Sequence, residues 1–441
     1  MQPIARRLLP LVLLVGSVAS LAGQGPTASD VVAAYRRLST RQPWPGFDPA
    51  SIPLAIFDGD TTWLSGHPRP PTDTFRITLG GLAAMPGQHP LVKANSSVEL
   101  GGVMTATLLL DRTRPDTAAR WAATLMHEAF HVFQRTRHKD WTANEAELFT
   151  YPVEQEVPQR LQRLETEAWR RASSGQQSGC WARTALQYRQ LRFALLPVEA
   201  AACERGTELN EGLATYVELR AEARESLPFP AEGFAPDGVR LRGYAVGPAI
   251  GRLLDGFEPK WRERLEHSPT RSLDELLTSA LGAGERCRFR PSEEDSVRLL
   301  ARSDVRRIQA DHGRLRDSLL SAPGWQIEVV ADSTAPLWPE RFDPWNLVSL
   351  GNGVVVHRRF LRLTKDGLEI EVLDHTALTE PAGSHPLFNG VRRLVVTGLP
   401  EEPVILDQPG RVRLSANGLR LEGRVRNVER AGQTILLRAG P

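Results

Sequence analysis

Residues 115–137 read PDTAARWAATLMHEAFHVFQRTR, and the pattern of this stretch sets how the flanking chain is parsed. Pro115 suits the first turn of a helix, where its missing N–H has no intrahelical partner to lose, and Thr113 or Arg114 precedes it. The spacing predicts a helix from about Pro115 to Arg137. Met126, Phe130 and Phe133 lie along one side, and Trp121, Leu125 and Val132 along another. A helix apolar over most of its circumference is a buried one. The remaining face carries Thr124, His127, His131 and His138.

Upstream, residues 28–41 have a short helical pattern that Pro43 and Pro45 end. From Ile52 to about Leu110 the pattern is that of strands: Leu54–Phe57, Phe75–Leu79 and Val103–Leu110, separated by Gly- and Pro-rich turns. Downstream, residues 153–225 read as helical almost throughout, with breaks at Ser173–Gly179, Pro197 and Arg205-Gly206. Further helices are expected from Tyr244 to Leu254 and, in two pieces, over 272–322. After residue 322 helical patterns give way to hairpin signals at Asn352-Gly353, Asp366-Gly367 and Asn417-Gly418, the last two between alternating runs. The expectation is an α+β chain. A mainly helical domain with a small N-terminal sheet (23–322) precedes an antiparallel, sandwich-like β domain (323–441).

The 441 residues are too many for one core, and two domains, or three, are expected. A formal charge of +2 supplies no basic field for nucleic acid. The cations are nearly all Arg, with Lys93, Lys139, Lys260 and Lys365 as the lysines, a bias read as compositional. Arg6-Arg7, the brief apolar run Leu8–Val18 and the small residues Ser20-Leu21-Ala22 have the layout of an export signal over residues 1–22. That run is too short for a membrane span, and no other stretch could form one. A secreted or periplasmic protein is expected. Such a compartment permits one disulfide among Cys180, Cys203 and Cys287. Cys180 and Cys203 are the tempting pair. However, one straight helix between them would hold its ends roughly 33 Å apart, against the ~6 Å a disulfide needs. The pairing is open, as is the oligomeric state.

The strongest chemical signal is His127-Glu128-Ala129-Phe130-His131. Residues four apart on a helix share a face, so two imidazoles at this spacing reach one ion. Glu128 stands about 100° around the helix, placed to take a proton from water at the ion without being a ligand. A catalytic zinc usually takes three protein ligands and keeps one position open. His138 lies about 10 Å along the axis from His131, which is too far. Glu145, Glu147, Glu154 and Glu156 are conceivable ligands. Glu211 is the better candidate, in Thr207-Glu-Leu-Asn-Glu-Gly-Leu-Ala-Thr-Tyr-Val-Glu218. There Thr207 is a plausible N-cap and Leu209, Leu213, Tyr216 and Val217 form the apolar stripe. Glu211, Thr215 and Glu218 share another face, where neighbours could orient a ligand carboxylate.

His127-Glu-Ala-Phe-His131 followed by Asn210-Glu211-Gly212-Leu-Ala214 resembles the gluzincin branch of the zincin metallopeptidases, the branch of thermolysin-like and aminopeptidase N-like enzymes. The match covers two helices. The resemblance implies a zincin-like catalytic domain, with Zn2+ on His127, His131 and Glu211 and with Glu128 as general base. It implies hydrolysis of a peptide or protein substrate. The His131-to-Glu211 gap is far longer than in thermolysin-like enzymes, so a helical insertion must fill it, and Thr215 stands where those proteins carry Asp. Tyr244, in Tyr244-Ala-Val-Gly247, resembles the tyrosine that aminopeptidase N-like enzymes aim at the reacting carbonyl oxygen. The strand Val103–Leu110 resembles the zincin edge strand that pairs with extended substrate. Two other readings are a non-catalytic zinc-containing binding or scaffold protein and a metal-dependent hydrolase of a non-peptide substrate. The intact Glu128 speaks against the first, since a structural site has no use for a base.

Overall fold

The computed structural model of the chain describes residues 25–78, 80–268, 270–343, 346–386, 388–408 and 411–440. The export segment expected at 1–22 lies outside them. The fold is α+β with a β-rich C-terminal region, as the change of pattern after residue 322 predicts. Two compact units divide the chain. Of the described residues, one holds those up to 41 together with those of 48–129, the other those of 42–47 and from 130 onward. Among the described residues no helix is long and apolar enough to cross a membrane.

In the first unit helix α1 (Ala28–Ser39) turns Val31, Val32 and Tyr35 inward, and Thr27 and Asp30 cap its start reciprocally. Six strands follow: β1 (Leu54–Phe57), β2 (Thr61–Ser65), β3 (Arg76–Ile77), β4 (Ala83–Pro86), β5 (Ser96–Leu100) and β6 (Val103–Leu109). They form one sheet in the order β3-β4-β2-β1-β6-β5, with Ala55, Leu64, Phe75, Ala83, Val92 and Leu100 as a core cluster. The expectation that Val103–Leu110 is a sheet edge does not hold, because β5 covers that side of β6. Gly101 and Gly102, with φ of 56° and 76°, supply the left-handed pair that a two-residue hairpin needs between β5 and β6.

Helix α2 spans Ala118–Arg137. It starts three residues later than Pro115. Its cap is Thr117, whose hydroxyl oxygen accepts from the Arg120 N–H at 3.2 Å. Its middle is buried all round, at Trp121, Leu125, Met126, Phe130, Val132 and Phe133.

In the second unit the long gap after α2 is filled by α3 (Glu156–Ala172), α4 (Ser178–Phe193) and α5 (Val198–Thr207). A π-helical turn, Glu208–Gly212, leads directly into α6 (Leu213–Glu222). Then come α7 (Val239–Phe257), α8 (Trp261–His267), α9 (Leu273–Leu281) and α10 (Pro291–Leu320). Trp44 is fully buried beside the aromatic rings of Phe130, Trp141, Tyr216 and Trp261, with centroids 5.3–6.3 Å away. This cluster joins the C-terminal half of α2 to α6 and α8. The disulfide pairs Cys180 with Cys287, whose Cα atoms are 5.2 Å apart. Cys203 is buried as a thiol, and desolvation pushes its pKa up to about 11.

The C-terminal region holds two further sheets. The seven-stranded one contains Trp325–Val330 and Val391–Leu399, and the six-stranded one Phe360–Lys365 and Leu368–Leu373. Ile327, Val329, Leu394 and Val396 from the first meet Leu363, Ile370, Leu414 and Leu421 from the second in one core. The expected turns are present. Asn352-Gly353 and Asp366-Gly367 are left-handed at both residues, while at Asn417-Gly418 the glycine is, at 75°.

The sequence gives little sign of what holds the helices. Arg189, Arg192 and Arg242 are fully buried against Glu165, Glu204 and Glu208. Arg189 grips Glu208 through both terminal nitrogens, at 2.8 and 2.5 Å, and Glu165 through Nε at 2.9 Å. Arg192 donates to Glu165, Glu204 and the Tyr151 hydroxyl. Arg242 reaches Glu204 at 3.1 Å and Thr166 at 2.9 Å. The Arg enrichment read as compositional therefore has a structural component. Burial pushes Glu165 toward the neutral acid, but Arg192, Arg242 and Arg189 outweigh it and hold the carboxyl below its usual range.

Breaking such a pair leaves a buried charge uncompensated, at about 3–5 kcal/mol. Arg192→Met should lower the unfolding free energy by about that amount, read from the urea midpoint. Because Glu165 has a depressed folded pKa, its stabilisation is present above the ordinary value of 4.5 and is lost as pH falls below it. Wild-type stability should fall over that acid range, which urea titrations at stepped pH will check.

Candidate metal centre

Glu211 reaches its position through a helix that does not stop where Arg205-Gly206 suggests. Gly206 is a close approach: a Cβ there would lie 2.3 Å from the Thr142 carbonyl oxygen. Thr207 is not an N-cap. Its backbone is helical, and its hydroxyl donates back to the Cys203 carbonyl at 2.9 Å. From α5 the chain passes into the π turn, whose extra residue breaks the regular i→i−4 ladder. Gly212 then lets α7 pack against this turn, since a Cβ on it would lie 2.8 Å from the Gly247 Cα. Glu204 and Glu208 are held by the buried arginines, and Glu211 follows on the same turn.

His127 and His131 lie one turn apart on α2. One donor atom from each of His127, His131 and Glu211 comes within 4.8 Å of the other two. The three predicted ligands are therefore together. His127 and Glu211 are buried, and the His131 side chain is 12% exposed, which gives the group a narrow opening to solvent. His131 Nε2 is 3.2 Å from Glu211 Oε2. Two ligands of a tetrahedral ion with bonds of about 2.0–2.1 Å stand about 3.3 Å apart, so this spacing fits a shared metal. An ordinary His–Glu ion pair would account for that contact alone, but it gives no reason for a third donor at the same point.

Gln134, unremarked in the sequence, organises the centre. Its Nε2 donates to the carbonyls of Leu209 and Asn210, both at 2.9 Å, in the π turn. Its Oε1 is therefore the acceptor facing His131 Nδ1 at 2.7 Å. Nδ1 carries the proton of this bond, which leaves Nε2 as the nitrogen facing Glu211 and His127. One buried carboxamide thus fixes a tautomer and ties α2 to the carboxylate-bearing turn.

The other oxygen of Glu211, Oε1, accepts from Arg240 Nη2 at 2.8 Å, and Arg240 Nε donates to Glu145 at 2.6 Å. The Arg240 guanidinium lies over the Tyr244 ring, 5.3 Å from its centroid. Tyr244 is thus a neighbour of the residue that holds Glu211. Desolvation works against the Arg240 charge, but Glu145, Tyr244 and Glu211 outweigh it and raise its pKa. Glu128 is buried beside His127.

The remaining candidates lie elsewhere. Glu147 is 3.8 Å from His385, Glu154 pairs with His312, and Glu156 with Arg302. His138 stacks on Trp141 at 3.8 Å and bonds Glu266 at 3.0 Å. Thr215 donates to the Glu211 backbone carbonyl at 2.9 Å, leaving Arg240 to hold the carboxylate. Glu218 faces Arg224 at 3.8 Å. Two signals for what was missed stand in the sequence. Gln134 is three residues beyond His131, on the same face, and Gly243, Gly247 and Gly251 recur every fourth residue where α7 meets the π turn and α6.

No family model matches this chain, and no match was found among curated proteins or solved structures. The donor set itself fits zinc: two imidazole nitrogens and one carboxylate oxygen, leaving a position open. Partners that orient a ligand typically contribute about 10–100-fold in metal affinity. Gln134→Ala should weaken zinc binding by about that factor, measured by competition with a chromophoric chelator.

Proposed function

We propose that this chain is a zinc-dependent peptidase of the gluzincin type, exported and acting on a peptide or protein substrate. The observation that carries this reading is the convergence of Glu211 on His127 and His131 within 4.8 Å, with the His131 tautomer fixed by Gln134. The Cys180–Cys287 disulfide supports an oxidising compartment.

His127 Nδ1 or Nε2, His131 Nε2 and a Glu211 oxygen would hold the ion. Zinc bound there supplies a Lewis acid and brings the pKa of water down to about 7. Glu128, one residue along the helix from the first ligand, accepts a proton from the attacking water and passes it to the leaving amine. Arg240 orients Glu211 through Oε1. Tyr244, beside Arg240, donates its phenol proton in a hydrogen bond to the carbonyl oxygen as charge develops there. The base distinguishes this reading from a structural zinc site, which needs none. The buried environment of Glu128 suits proton transfer in a water-poor setting.

Removal of a positioned general base typically costs about 10²–10⁴-fold in rate. Glu128→Gln should keep one zinc per chain, by elemental analysis, and lose at least about 100-fold of casein hydrolysis. Chelation of the wild type should abolish hydrolysis and zinc should restore it. Full activity in the Gln variant, or indifference to chelator, would refute the assignment.

A further inference from the structure

The 3-10 turn Glu145–Thr150 touches two parts of the second unit at once. On one side its Glu145 receives Arg240 Nε at 2.6 Å, and the same guanidinium holds Glu211 Oε1 at 2.8 Å. On the other side its backbone is held by the β-rich region. His385 Nε2 lies 3.1 Å from the Ala146 carbonyl oxygen, and the Ser349 hydroxyl donates to the Phe149 carbonyl at 3.2 Å.

The direction of the His385 bond follows from its other nitrogen. The Phe388 N–H donates to Nδ1 at 3.1 Å, so Nδ1 is an acceptor. The ring proton is then on Nε2, which donates to Ala146. The imidazole is also held in place. It is buried, it stacks on Phe388 with centroids 4.3 Å apart, and its own backbone N–H donates to Asn389 Oδ1 at 2.8 Å. Glu147 Oε2 of the same turn lies 3.8 Å from its Nε2. Two protein-to-carbonyl bonds thus seat the turn, and its first side chain bears on the arginine that orients a metal ligand.

We infer that the β-rich region is a strut of the metal centre: His385 and Ser349 position Glu145, which through Arg240 sets the Glu211 carboxylate. This inference rests on the metal reading of His127, His131 and Glu211. His385 is a positioning residue. Its effect travels through three contacts, His385 to Ala146, Glu145 to Arg240 and Arg240 to Glu211.

The test is zinc affinity of the full chain, measured by chelator competition, in a double-mutant cycle. Losing one such hydrogen bond is worth about threefold to tenfold in an equilibrium constant. His385→Ala should weaken zinc binding by about that factor while the metal-free melting curve stays cooperative. His385→Gln, whose amide nitrogen can donate to the same carbonyl, should return affinity to near wild type. In an Arg240→Ala background, His385→Ala should cause no further loss, because the path is already cut. Ser349→Ala, run through the same cycle, serves if His385→Ala does not fold. Wild-type affinity in His385→Ala, or an equal loss with and without Arg240, would overturn the strut alone. Absence of stoichiometric zinc from the wild type would overturn the metal reading beneath it.

Discussion

A single carboxamide, that of Gln134, joins the imidazole of His131 to the backbone carbonyls of Leu209 and Asn210, and the candidate centre depends on that tie. Two histidines on one helix can meet a metal wherever the helix lies. A third ligand 80 positions later needs a physical reason to arrive. The π turn supplies it by presenting the Leu209 and Asn210 carbonyls to a side chain of α2. The same bond decides which nitrogen of His131 is protonated, so position and electronic state are set together.

A tie of that kind holds only if the turn is rigid from its other sides. The buried arginines grip Glu204 and Glu208, the residues that lead into Glu211, from α4 and α7. Glycines allow α7 to approach the turn closely. The aromatic rings around Trp44 fix the half of α2 that carries His131. Charge and close backbone contact thus converge on the π turn, and aromatic packing holds the helix to which it is tied. The arginine cluster is costly to desolvate, and its partners Glu204 and Glu208 precede the candidate ligand Glu211.

Much of this was legible before the structure. Helix α2, the strands before it, the change to β structure after residue 322 and the three hairpin turns follow from local periodicity and turn chemistry. The grouping of His127, His131 and Glu211 was legible from motif spacing and residue type. What sequence reasoning missed depends on long-range partners. Thr207 has the chemistry of a cap but sits inside a continuous helix. Gly206 looks like a stop but serves a close approach to Thr142. Val103–Leu110 resembles an edge strand, yet Gly101-Gly102 turns β5 back to pair beside it. Arg189, Arg192 and Arg242 pass as part of a compositional bias because their acidic partners lie on other helices. No periodicity within one element could have announced those pairings.

The central claim is that one ion sits between two imidazoles and a carboxylate. X-ray absorption at the zinc edge of the purified, zinc-loaded chain tests it most directly. The account predicts only nitrogen and oxygen neighbours at about 2.0–2.2 Å, with the multiple scattering of two histidines, and the loss of one oxygen neighbour in Glu211→Ala. A sulfur neighbour at about 2.3 Å, a single histidine, or a spectrum unchanged by Glu211→Ala would contradict it.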